Sequence, residues 1–292
     1  MNRAVVVFIS DEHGGHKLGL CSPDTVWWDE GVNGERVARY PRLGVFQEHL
    51  WELNMRYVDA VEEFADGCPV VIVHNGDLTH GTFHQEELIT NSIDDQIEVG
   101  RFALTPWLMI NNVVAARLFT GTGVHTFGGG SEVLAGKLLE SDFPDIDIRV
   151  SSHGVLNVLG VTIDVAHHGP HPGSRKWLEG RQLRYYIEDL MLRDFSEGAT
   201  PPMLVVRGHR HQWIPHETVT KQYLRKVYST TGILLPAMCG LSAFGRKSAQ
   251  SPPYITLGVV AVEVLDERVG KIVPLVETTD MRTRETLVLS MG

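Results

Sequence analysis

Thiolate chemistry has little to draw on in this chain: 292 residues carry only Cys21, Cys68 and Cys239, none in Cys-x-x-Cys spacing. So few cysteines, odd in number, exclude a disulfide framework or a zinc finger and suit a reducing cytosol. Long apolar runs are lacking as well. The first, Ala4-Val5-Val6-Val7-Phe8-Ile9, stops at Ser10-Asp11, too short for a secretory leader. No stretch reaches the roughly 18 apolar residues of a membrane span, so no membrane partner is expected. Positive charge is in deficit, 26 Lys and Arg against 36 Asp and Glu, for a net charge of −10. A general duplex-DNA binder needs a basic face to neutralise phosphates, so that class is disfavoured, although a local basic groove is not.

What is present is enough apolar material for a core, at 43% hydrophobic residues. Residues 4–9 and 69–73 are continuous Val-rich runs, the pattern of strands covered on both faces. Between them, 14–41 reads as loop. Residues 43–65 follow a helical period through Leu50, Leu53, Tyr57 and Val61, ended by Gly67. Further helices are predicted over 93–112 (kinked or divided at Pro106), 131–140 and 175–194, the last capped by Ser174. Strands are predicted over 113–120, 146–158, 160–166, 203–206, 213–219, 223–230, 255–264, 271–277 and 285–290. Segment 232–253 is expected to form a loop over the pocket. Alternating strands and helices followed by a strand-rich tail predict one α/β domain spanning 1–292, with two packed sheets and helices outside.

Five polar clusters follow short apolar runs: Asp11-Glu12-His13, Gly76-Asp77, Gly121-Thr122-Gly123-Val124-His125, His167-His168-Gly169 and Gly208-His209-Arg210-His211. Strand ends on one edge of a sheet converge, so these clusters can share a pocket. Carboxylate and imidazole without thiolate suit Mn, Fe or Zn, and a metal pair is a standard device for hydrolysing phosphate esters. On extended backbone, residues i and i+2 face one way, so Asp11 and His13 can hold one metal with Glu12 turned away. The plainer reading is a strand-end turn capped by Asp11 and Ser10. Asp77 has two oxygens able to face different cations. His209 and His211 repeat the i, i+2 spacing. Of the His167-His168 pair, His168 is preferred because Gly169 frees its backbone to turn, with His167 the alternative. His16, His80, His84 and His171 follow these motifs and are candidates for substrate contact. Arg207 or Arg210 could reach a phosphate.

In this order the clusters resemble the calcineurin-like metallophosphoesterase superfamily, from residue 5 to about residue 211. The Gly-Thr-x-x-His form looks most like phage- or prophage-type members. The resemblance implies a four-layer αββα sandwich holding two divalent metal ions, Mn, Fe or Zn, with Mn favoured. It implies that Asp11, His13 and His211 hold the first metal, that Asp77 bridges, and that His168 and His209 hold the second. His125 would be the general acid, and a hydroxide shared by the metals would attack phosphorus in line. The implied partner is a phosphate ester, with a nucleotide or single-stranded nucleic acid favoured and a phosphomonoester as the alternative.

Two positions depart from the family pattern. Where the family has Gly-Asn-His, direct alignment on His125 puts Val124 at the Asn place, and Val cannot ligate. With two extra loop residues Thr122 takes that place, as a poor ligand. The second metal is then weak, or is completed by water, Asn75 or His74. Where the family has Gly-Asp-x-x-Asp, the last position is His80, so a His–His pair would orient the acid. These departures motivate a second reading, a non-catalytic metal-binding interaction module on the same fold. A zinc-dependent amide or ester hydrolase is a third, with Gly-Asp and Gly-His-x-His in this order counting against it.

Overall fold

The structure, a computed structural model, describes residues 2–173, 175–248 and 252–286. In chain order the first half contains β1 (Arg3–Ile9), β2 (Trp27–Glu30), β3 (Arg36–Arg39), α1 (Val45–Ala65), β4 (Val70–His74), α2 (Ile93–Leu108), β5 (Val113–Phe119), α3 (Gly130–Asp142) and β6 (Asp147–Ser151). The second half contains β7 (His153–Val158), β8 (Val161–Ala166), α4 (Arg181–Ser196), β9 (Leu204–Arg207), β10 (Ile214–Tyr223), β11 (Lys226–Leu234), α5 (Ala243–Ser248), β12 (Tyr254–Leu265) and β13 (Arg268–Asp280). The expected cap at Ser174 and most of the expected 285–290 strand lie outside the described residues.

The unbroken apolar run of β1 is explained by what covers it. Val5, Val7 and Ile9 face a core shared with α1, α2 and α3. Val6 and Phe8 face the opposite way, into a core shared with β8, β9 and β12. A strand buried on both faces cannot alternate apolar and polar residues. β1 lies inside a six-stranded sheet ordered β13-β12-β1-β4-β5-β6. A five-stranded sheet ordered β10-β11-β9-β8-β7 packs against its inner face. Leu183, Ile187, Met191 and Phe195 of α4 cover the far side of that second sheet. The layers therefore run helix, sheet, sheet, helix, the four-layer α/β architecture expected.

Local differences have physical causes. The 14–41 stretch is not all loop: β2 and β3 pair as a short antiparallel hairpin with Trp27 opposite Arg39. Seven of its eight strand residues are exposed, so it carries no periodic apolar signal. The 146–158 strand is two strands. β6 pairs with β5 in the first sheet, and after Ser152 β7 pairs with β8 in the second. α2 runs unbroken past Pro106, which lies in its last turn, and stops at Leu108. In the 232–253 segment, residues 232–234 finish β11. Met238 N donates to the Ser10 carbonyl (3.1 Å) and Gly240 N to that of Leu18 (2.8 Å), and α5 follows.

Candidate metal centre

The strands deliver their C-terminal ends to one place. β1, β4 and β5 are parallel neighbours in the first sheet, and β8 and β9 are parallel in the second. Beyond the last strand residues the loops stay tied. Asp11 N donates to Gly76 O and His13 N to Asp77 O, both at 3.0 Å, and Gly208 N donates to His167 O at 2.8 Å. His209 N donates to Asp11 Oδ2 (3.0 Å), which joins the two sheets at the site.

Asp11 and His13 do meet, but not on extended backbone. Asp11, His13, Asp77, His209 and His211 have φ of 56°, 47°, 56°, 71° and 48°. Left-handed backbone at a non-glycine residue costs on the order of 1–3 kcal/mol and persists where surrounding structure enforces it, often at functional sites. Five such residues in one place turn their side chains toward a common centre. Glu12 does turn away: it is fully buried, with a carboxylate oxygen 3.5 Å from His74 Nε2.

The first group is Asp11, His13 and His211, whose candidate ligand atoms lie within 4.8 Å of one another. His13 Nε2 and His211 Nε2 are 2.9 Å apart, and His211 Nε2 is 3.3 Å from Asp11 Oδ1. Asp11 Oδ2 is occupied, accepting from Ser10 Oγ at 2.5 Å and from His209 N. Its Oδ1 is buried without a hydrogen bond among the described residues. A buried carboxylate oxygen left bare is costly unless a cation or an aligned donor meets it.

The second group is Asp77, His167 and His209. His167, fully buried, places Nε2 at 3.1 Å from Asp77 Oδ2, while its Nδ1 donates to Asn75 O (2.6 Å). His168 is exposed and outside the group, its ring centre 4.6 Å from that of His209. The Thr122 hydroxyl lies among the group's atoms, 3.0 Å from His209 Nδ1 and 3.3 Å from both His167 Nε2 and Asp77 Oδ2. Thr122 N also donates to Asp77 Oδ1 (2.5 Å). Val124, by contrast, is half exposed. Two glycines make room here. A Cβ on Gly121 would fall 2.1 Å from both Asp77 N and Oδ1, and one on Gly76, at φ +90°, 2.5 Å from His167 Nδ1.

Asp77 Oδ2 is also 3.9 Å from His13 Nε2, so this one oxygen faces both groups. The donor set is two carboxylates and four imidazoles with Asp77 between, a set that fits a pair of divalent cations.

Charge differs across the site. Burial would raise the Asp11 carboxyl, but His167 and His211 outweigh it and hold it below the usual range. Burial would lower His167, but Asp11 and Asp77 outweigh it and push it up to about 9. Burial, together with His167, lowers His209 to about 4. Burial and the neighbouring His211 hold His13 well below its ordinary value.

The expected His–His side-chain pairing of the acid is replaced by something else. His125 Nδ1 donates to the backbone carbonyl of His80 at 2.6 Å. A carbonyl only accepts, so Nδ1 carries the proton and Nε2 is the free atom. The His80 ring instead packs on His16, with centres 4.5 Å apart, and burial brings His80 down to about 3 and His16 to about 4. Arg207 does not reach the site. It is buried, bonding Tyr186 OH and the Asp164 carboxylate, which His153 also contacts. Arg210, His84 and His171 are exposed. Trp27 is a packing residue, its indole N–H on Asp95 O. Of the two candidates for the Asn place, the structure puts Thr122 rather than Val124 among the ligand atoms.

No protein-family model matches the chain, and no curated protein matches it. Among solved structures, one similar chain is the crystal structure of 5'-nucleotidase from Candida albicans SC5314, at TM-score 0.33 and 11% identity. The alignment covers 89% of this chain and 47% of that one, so the chain spans about half the length of that protein. A likeness this distant bears on neither fold nor activity. Among the described residues, no helix is long and apolar enough to cross a membrane.

Proposed function

We propose that this chain is a dinuclear-metal phosphoesterase, a phage-type member of the calcineurin-like metallophosphoesterase superfamily. The observation that carries the reading is Asp77 Oδ2, which faces two separate three-residue groups of ligand atoms at once. Asp11, His13 and His211 would hold one cation, and His167 and His209 the other, with Asp77 able to serve both. His167 takes the place first assigned to His168 because its Nε2 is the atom beside Asp77. Two bound cations would supply an activated water nucleophile and offset charge on the phosphoryl oxygens.

The chain's own residues do the rest. His125, with Nδ1–H fixed on the His80 carbonyl, turns Nε2 to the site, and in its doubly protonated form it would give the Nε2 proton to the leaving oxygen. Ser10 and the His209 amide fix Asp11 so that only Oδ1 faces inward. Mn is the favoured metal. The favoured substrate is a phosphodiester of a nucleotide or single-stranded nucleic acid, in keeping with the net charge of −10. The favoured compartment is the cytoplasm.

The test is Mn²⁺-dependent hydrolysis of bis(p-nitrophenyl) phosphate, with Asp77→Ala beside the wild type. Removing the shared carboxylate should lower turnover by about 10³-fold or more. No hydrolysis above the variant, with p-nitrophenyl phosphate hydrolysed instead, would move the reading to a monoesterase. Neither substrate turned over would favour the non-catalytic metal-binding module, a reading that His80 at a carboxylate position supports.

A further inference from the structure

A third set of ligand-type atoms sits beside the two groups. His13, His80 and His125 bring one nitrogen each to within 4.8 Å of the others, with no carboxylate among them. Their ring centres are 5.3 Å (His13–His80), 5.1 Å (His80–His125) and 4.7 Å (His13–His125) apart. Two imidazoles on one tetrahedral zinc, with Zn–N of about 2.0–2.1 Å, have centres about 5 Å apart. His80 is only 8% exposed, and among the described residues neither of its ring nitrogens has a hydrogen-bond partner. An imidazole always carries an N–H, and burying that donor unpaired costs about 1–3 kcal/mol, so His80 is an unexplained buried group aimed at this spot.

The spacing is built into the backbone. His80 N donates to Gly14 O (3.0 Å), Thr79 Oγ1 to His125 O (2.7 Å) and His125 Nδ1 to His80 O, so the three loops hold one another. The last bond commits His125 Nδ1 and leaves Nε2 as the nitrogen with a lone pair to give.

We propose that His13, His80 and His125 form a third cation position, selective for an imidazole-preferring ion such as zinc, that competes with the Asp11–His13–His211 position. Selectivity follows from the donors: an all-nitrogen set suits zinc or cobalt, whereas manganese and magnesium want oxygen. Competition follows from His13, which belongs to both groups, because a neutral imidazole has one lone pair to give. A zinc ion held here takes His13 from the first group and the free nitrogen from His125. Binding rests on geometry alone. The consequence that excess zinc inhibits a manganese-supported reaction rests also on the phosphoesterase reading.

The experiment is titration of the full chain with Co²⁺, followed by its visible ligand-field absorption, for the wild type, His80→Gln, His80→Asp and His125→Gln. Circular dichroism serves as the folding control. The wild type should show a class of tetrahedral, nitrogen-bound cobalt that Zn²⁺ displaces and Mn²⁺ does not. His80→Gln should weaken that class by at least about ten-fold, and His80→Asp, which returns an oxygen ligand, should restore part of it. An unchanged class in folded His80→Gln overturns the proposal. If that variant does not fold, an unchanged class in His125→Gln overturns it equally. Excess Zn²⁺ should also inhibit Mn²⁺-supported hydrolysis about ten-fold in the wild type and less in His80→Gln. Failure of all hydrolysis would count against the phosphoesterase reading, while the cobalt class would still decide the third position.

Discussion

Asp11, His13 and His211 meet through one His13 Nε2–His211 Nε2 contact of 2.9 Å, whereas Asp77, His167 and His209 are knitted together by a hydroxyl. Among the described residues, Asp11 Oδ1 and the Nδ1 atoms of both histidines in this first group are buried without hydrogen bonds. In the second, Thr122 contacts all three members, and Asn75 takes the remaining nitrogen of His167. Protonation follows the same divide: His13 is held well below its ordinary value, while His167 is pushed up to about 9. A cation entering the first group meets the bare Asp11 Oδ1 and has only the His13–His211 contact to part. One entering the second must displace a proton and loosen a hydroxyl. The two positions should therefore differ in affinity and in pH dependence although their side chains are of the same kinds.

The largest expected effect separates the adjacent histidines. His167→Ala should reduce bound Mn²⁺ from two ions to one, counted by elemental analysis after dialysis, and lower turnover by about 10³-fold. His168→Ala, which changes an exposed ring beside His209, should keep both ions. The reverse pattern would restore His168 as the ligand and unmake the second group as drawn.

Next comes pH. Below about 9 a proton occupies His167, so affinity for the second cation should rise nearly ten-fold from pH 7 to 8 and about 50-fold between pH 7 and 9. The first group, with His13 deprotonated throughout, should show no such slope. Calorimetry in two buffers of different ionisation enthalpy would count the proton released. Equal affinity at both pH values, with no release, would sink the contrast. The raised His167 also bears on folding without a cation. Its folded value lies above the ordinary 6.5, so the stability it contributes is fully present below about 6.5 and is lost as pH rises through about 9.

Much of this was legible in the sequence, for reasons that also mark where legibility ends. The runs 4–9 and 69–73 announced buried strands because strands covered on both faces must be apolar throughout, and β1 and β4 are so covered. The positions of Asp11, His13, Asp77, His125, His209 and His211 followed from strand ends converging. The hairpin β2–β3 was hidden because exposed four-residue strands have no core to encode. The split between β6 and β7 was hidden because alternation does not say which sheet a strand joins. The choice between His167 and His168 rests on backbone direction one residue past β8, which an argument from the flexibility of Gly169 could not supply. The i, i+2 argument brought Asp11 and His13 together for a reason the backbone does not use, since both residues are left-handed. The carbonyl that orients His125 belongs to the backbone of His80, so no side-chain identity could reveal it.

The smallest effect tests why the second group is knitted shut. If Thr122 occupies the place that asparagine takes in the superfamily the sequence resembles, Thr122→Asn should supply a carbonyl oxygen, a better ligand than a neutral hydroxyl, and tighten the second cation about ten-fold. Thr122→Val keeps the shape and removes the hydroxyl that contacts His209, His167 and Asp77. It should free those atoms for the cation while leaving the Thr122 N–H on Asp77 Oδ1 intact. Val124→Asn is the counterpart. Half exposed and outside both groups, it should change neither affinity. Isothermal titration of the second Mn²⁺ in the three variants reads the outcome directly. Tightening by Val124→Asn without tightening by Thr122→Asn would mean that the loop aligns on His125 with no extra residues. The difference between the two groups would then have to come from the His167 proton alone.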